Sequence, residues 1–115
     1  MSRLSSIDLI VADVLAAADF FGTVVGMEIV ERSERFASLR SGDFTLMLSP
    51  DALVPIQKAA GVILHLQVED ISAVLDRAEA NGGKLLYGPS PTDWGTESAL
   101  LQGPEGVIVD IYCNL

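Results

Sequence analysis

TDWGTESALLQGPEGVIVDIY, residues 92–112, carries a hairpin and the approach to it. Val107, Val109 and Ile111 alternate with Ile108, Asp110 and Tyr112, the period of two expected of a strand with unlike faces. One face is apolar enough to enter a core; the other bears a carboxylate and a phenol. Ser98 to Leu101 reads as the partner strand, and Gly103-Pro104-Glu105-Gly106 supplies the residues of a tight turn between the two. Upstream, Trp94-Gly95 follows Pro89 and Pro91, so a large aromatic is expected where proline has broken regular strand pairing.

Working outward, the same layout occurs twice. Ser6 to Asp13 alternates as a strand, with Ile7, Leu9 and Val11 on one side, and Ile10 blurs the other side. From Val14 to Val25 the period becomes helical through Leu15, Ala18, Phe21 and Val25, with Asp13 as N-cap and Gly26 as the stop. Glu28 to Glu31, Phe36 to Arg40 and Phe44 to Ser49 then read as three short strands. A shift of 57 residues lays Ile7 on Leu64, Leu9 on Leu66, Val11 on Val68, Asp13 on Asp70 and Gly26 on Gly83. Ile71, Val74, Leu75 and Ala78 mark a second helix, after which Lys84 to Tyr87 begins a strand. The predicted fold class is α+β: two tandem βαβββ modules, residues 4–50 and 61–115, joined by a linker over 51–60 that contains prolines and mixed polarity. One helix covers only one face of a four-stranded sheet. The two curved mixed sheets are therefore expected to form an open barrel-like cavity.

The Trp-Gly pair, the short strand, the Gly-Pro-Glu-Gly turn and the last strand with its acidic residue resemble, in this order, the vicinal oxygen chelate superfamily. That group includes glyoxalase I, extradiol dioxygenases and bleomycin-resistance proteins. The resemblance implies the same duplicated fold and a homodimer. Metal-using members take His or Gln from the first strand of each module and Glu from the fourth. Carried onto this chain, those positions are Ser6, Met47, Ile63 and Asp110. Only Asp110 is a usual ligand, so a metal-site-deficient member with no cofactor is expected. His65 with Asp110 and Asp8 would be a displaced alternative, and a weaker one.

With 115 residues, half of them apolar, the chain suffices for one packed domain, and a single cysteine excludes an internal disulfide. A net charge of −9 and the absence of a basic cluster argue against nucleic acid as a partner. No apolar run reaches the roughly 20 residues that span a bilayer, and no signal sequence is evident, so a cytoplasmic protein without membrane contact is expected. Half the residues being apolar is also more than one small core readily hides, which again suggests a homodimer.

Strand alternation sends Ser6, Asp8, Thr45, Met47, Ser49, Ile63, His65, Gln67, Asp110 and Tyr112 to the face away from the helices. Simple wetting by solvent is the plainer alternative, but the expected fold would wrap this face instead of presenting it outward. His65, the single histidine, is a candidate general acid or base, with Asp110 to orient it. A histidine hydrogen-bonded in a polar cavity with nothing to catalyse is the plainer alternative. Trp94 offers a stacking surface for a planar ligand, or else anchors its loop. Asp8, Met47, Ile63 and Tyr112 are candidate ligand contacts that ordinary packing would also explain. Two functions are expected to compete: a metal-independent binding protein of the bleomycin-resistance-like kind, holding an apolar or aromatic small molecule, and a metal-independent isomerase, lyase or cyclase built on His65 and Asp110.

Overall fold

The computed structural model describes residues 2–57 and 60–115. Lys58 and Ala59, within the expected linker, lie outside the described residues, and residues 51–57 form neither helix nor strand. The chain divides into two compact units, Met1–Ala59 and Ala60–Leu115. Each is one α/β layer pair, built in the order strand, helix, strand, strand, strand.

In the first unit β1 (Ser6–Ile10), β2 (Glu28–Arg32), β3 (Ala37–Ser41) and β4 (Phe44–Ser49) form a mixed sheet of order β1-β4-β3-β2, with β1 parallel to β4 and the other pairs antiparallel. Strand β1 ends three residues before the predicted Asp13. The reason is local: the Asp13 carboxylate accepts from the Ala16 amide at 3.0 Å, so the chain must already have turned to present that cap. Helix α1 (Val14–Asp19) continues as a π-helix over Phe20–Val25, a change of winding the periodicity did not foretell. The Gly26 amide donates to the Phe21 carbonyl at 3.1 Å and the chain leaves in the left-handed conformation there. Leu39, Leu48, Ala17, Ala18 and Phe21 are fully buried, and α1 lies on β3 and β4. Asp19 and Arg32 tie the helix to the edge strand β2 through two 2.9 Å hydrogen bonds, which raise the guanidinium pKa further. Both side chains are exposed, so this pair contributes little to stability.

The second unit repeats the plan. β5 (Ile63–Gln67), β6 (Leu85–Pro91), β7 (Thr96–Gln102) and β8 (Ile108–Asn114) make a sheet of order β5-β8-β7-β6, again with the first pair parallel. Helix α2 (Ile71–Ala80) starts where the Asp70 carboxylate accepts from the Ala73 amide at 3.1 Å. It buries Ile71, Val74 and Ala78 at three- and four-residue spacing, while the sheet contributes Ala99, Leu101, Val109 and Ile111. The β7–β8 turn closes with Val107 donating to the Pro104 carbonyl at 3.1 Å, and Glu105 and Gly106 both take positive φ, as a primed hairpin turn requires.

Regular pairing is broken ahead of Trp94, yet the strand itself continues: β6 runs through Pro89 and Pro91 to its last residue. It is the edge strand, where a missing N–H need not break a ladder, and its register slips between Leu85 and Tyr87 and again between Tyr87 and Ser90. Among the described residues no helix is long and apolar enough to cross a membrane.

Candidate functional site

The open face of the second sheet is set by two registers. The β5–β8 pairing puts His65 opposite Asp110 and Gln67 opposite Tyr112. The β7–β8 pairing puts Leu100 opposite Asp110 and Ser98 opposite Tyr112. Paired residues share a face, so a carboxylate, an imidazole, a phenol and a hydroxyl stand on one side while Val109 and Ile111 enter the core on the other.

His65 and Asp110 touch. The Nδ1 to Oδ2 distance is 2.7 Å, between an imidazole 61% exposed and a carboxylate 7% exposed. With Asp110 as the carboxylate, Nδ1–H is the donor to Oδ2, and in the neutral ring of that tautomer Nε2 keeps its lone pair. The other Asp110 oxygen, Oδ1, is buried without a hydrogen-bond partner, as is the Ser98 hydroxyl. The carboxylate is thus held under the ring by two adjacent strands.

Two adjoining recesses open on this face. One, of about 320 Å³, is walled by Ile63, Tyr87, Pro91, Trp94 and Leu100, with His65, Asp110, Ser98, Ser90 and Thr92 as its polar members. The second, of about 340 Å³, is bounded by His65, Trp94, Asp110, Thr96 and Tyr112. His65, Trp94 and Asp110 belong to both. The first recess lies at the small end of the 300–1,000 Å³ range of ligand pockets, and its mix of apolar walls with a few polar groups is that of a small-molecule site.

Trp94 reaches these recesses because its loop is clasped at the base. The Thr92 and Thr96 hydroxyls share a 2.8 Å hydrogen bond. The Thr96 amide donates to Thr92 Oγ1 at 3.1 Å, and Thr92 Oγ1 donates to the Thr96 carbonyl at 3.1 Å. Gly95 supplies a φ of +91° inside that loop, and its carbonyl accepts from the Leu115 amide at 3.0 Å. The indole itself remains 72% exposed.

Of the residues singled out from the sequence, Ile63, His65, Trp94, Asp110 and Tyr112 gather on this one face. Asp8 and Met47 belong to the first unit, where they are Cα partners across β1 and β4. Asp8 is exposed and accepts from the Ser49 hydroxyl at 2.9 Å, and Met47 is half-buried. Sequence reasoning missed Ser98, Leu100 and Thr96, although counting by twos back from the turn would have placed them on the Asp110 face. Tyr87 and Ser90 gave no such signal, because the slipped register of β6 sets their positions.

The profile of the Glyoxalase/Bleomycin resistance protein/Dioxygenase superfamily matches residues 3–111. The chain belongs to that superfamily. Among solved structures, a protein described as a conserved domain protein is 36% identical, covering 99% of this chain and 100% of its own, with a TM-score of 0.86. A glyoxalase-related enzyme from Fulvimarina pelagi shares 23% identity over 99% of this chain and 89% of its own, at a TM-score of 0.84. An antibiotic binding protein, TnmS3 from Streptomyces sp. CB03234, shares 22% over 100% and 98% of the two chains, at 0.79. These last two likenesses show the fold. The comparison with curated proteins finds no match.

Metal-using members of the superfamily require donors that this chain lacks. At the corresponding positions Ile63 offers no lone pair, Met47 only a thioether and Ser6 only a hydroxyl, while Asp110 spends one oxygen on His65. Among the described residues no three His, Cys, Asp or Glu side chains group as a metal site. The donor set does not fit the superfamily's metal.

Proposed function

We propose that this superfamily member is a metal-independent small-molecule binding protein, taking a planar apolar or aromatic ligand against Trp94. The observation that carries the reading is an exposed indole, pinned by the Thr92–Thr96 clasp, beside an apolar recess of about 320 Å³. Exposed tryptophan is costly to leave in water, and a rigid loop removes most of the entropy cost of stacking a ligand on it. TnmS3, named for binding an antibiotic, supports the reading by analogy of scaffold. Ile63, Tyr112 and Asp110 are assigned as further contacts of the ligand, and Asp8 and Met47 as secondary candidates in the first unit.

A thermal-shift panel of planar aromatic compounds tests this. A true ligand at a hundred times its Kd adds about 2.7 kcal/mol, a rise of roughly 5–15 °C in Tm for a domain of this size. Trp94→Ala should weaken the affinity about ten-fold by removing the stacking surface. A panel without any shift, or a shift unchanged in the variant, sinks the assignment.

The working form is proposed to be a cytoplasmic homodimer. Ile29 and Val30 on edge strand β2, with Leu85 and Leu86 on edge strand β6, are exposed in the single chain. Light scattering should return twice the chain mass of 12.2 kDa, and a monomer at micromolar concentration would rule the dimer out.

A further inference from the structure

We infer that His65 and Asp110 form a metal-free proton-transfer dyad acting on a benzylic ketone, one whose acidic C–H lies between an aromatic ring and the carbonyl. This rests on the reading that a planar ligand occupies the Trp94 recess, and adds to it a reaction.

Four observations converge. The imidazole has one nitrogen committed: Nδ1 donates to Asp110 at 2.7 Å, and no hydrogen bond to Nε2 occurs among the described residues. Asp110 and His65 are opposite one another on adjacent parallel strands, so their relation is fixed by backbone rather than by a flexible loop. The carboxylate is buried, and Oδ1 has no partner, so a positive charge formed on the ring lies against an otherwise uncompensated negative one. Finally, the ring borders both recesses together with Trp94, so a ligand stacked on the indole has the imidazole beside it.

The step balances without a cofactor. Nε2 takes a proton from the carbon next to the carbonyl, and the electrons of that C–H bond become the enolate π system, with the charge on oxygen. Tyr112, on the wall of the adjoining recess that shares His65 and Trp94, is the available donor to that oxygen. The imidazolium then returns the proton to the same carbon, or to the far end of a conjugated system, which gives exchange in one case and isomerisation in the other. A lone base of this kind contributes about 10²–10⁴ in rate. Only substrates that are already carbon acids are therefore within its reach, which selects benzylic ketones and dicarbonyl compounds over simple alkyl ketones. Asp110 is a positioning residue here, since it acts through the ring.

The experiment uses 2-tetralone in D₂O, following loss of its benzylic C1 proton signal by NMR while Trp94 fluorescence reports binding. Wild type should exchange that proton about 10²–10⁴ times faster than the same solution without protein. His65→Gln should return exchange to background, measured at 2-tetralone concentrations that saturate Trp94 quenching in that variant. Asp110→Asn should slow exchange at least ten-fold and move the single imidazole's ¹⁵N shifts away from the Nδ1–H tautomer, which a merely structural role would not do. Saturable quenching of Trp94 with exchange at background in wild type overturns the dyad and leaves the binding reading standing. No quenching and no exchange overturns both. Exchange that survives His65→Gln also overturns the dyad.

Discussion

Phe21→Ala should lower the unfolding free energy by about 3–5 kcal/mol, the usual cost of emptying a phenylalanine site in a core. Phe21 is completely buried, packs edge-on against Phe20 at 5.2 Å between ring centroids, and sits in the π-helical part of the segment that covers the first sheet. A hollow there is hard to refill, because the π-turns fix the neighbours Val24 and Val25 and the sheet below is rigid. Since whole domains are stable by only about 5–15 kcal/mol, the variant should approach the limit of folding. Urea denaturation measures this directly: an unfolding free energy within about 1 kcal/mol of wild type would mean that the helix is not anchored at this residue.

Gly88→Ala is the second large effect, and it falls on the site itself. Gly88 has a φ of +82°, and a Cβ placed there would lie 2.5 Å from the Ser98 carbonyl oxygen and 3.1 Å from the Ser90 nitrogen. Both obstacles are backbone, so no side chain can move aside. Left-handed strain of about 1–2 kcal/mol and overpacking of about 1–3 kcal/mol add in the same direction, giving an expected loss of roughly 2–5 kcal/mol. The strands pushed apart, β6 and β7, carry Tyr87, Ser90, Ser98 and Leu100, so ligand affinity should fall with stability. Denaturation combined with 2-tetralone titration checks both halves, and a variant with wild-type stability would show that β6 does not sit this close to β7.

The duplicated architecture was readable because the cues came in the same order twice. Asp13 and Asp70 cap helices, each followed by an apolar stripe and then glycine, and strand alternation on either side carries the same phase. Local chemistry and tertiary packing agreed, which is when sequence reasoning works. The π-winding of Phe20–Val25 was hidden because an α-helix and a π-helix bury nearly the same residues over one turn. The prolines signalled the broken pairing of β6, but not that an edge strand with two register slips would carry on through them. For the site, alternation placed His65, Asp110 and Tyr112 on one face. What it could not provide was the parallel register that sets His65 directly opposite Asp110, or the Thr92–Thr96 clasp that aims Trp94. Both depend on hydrogen bonds between strands or across a loop, which leave no periodic trace.

One titration bears most directly on the claim that indole and imidazole flank a single ligand. The chain has one tryptophan and one histidine, so each gives a single reporter signal in the NMR spectrum. With rising 2-tetralone, the Trp94 indole and His65 imidazole resonances should move together and saturate at the same concentration. Movement of the indole with an unchanged imidazole, or two different saturation points, would contradict the account.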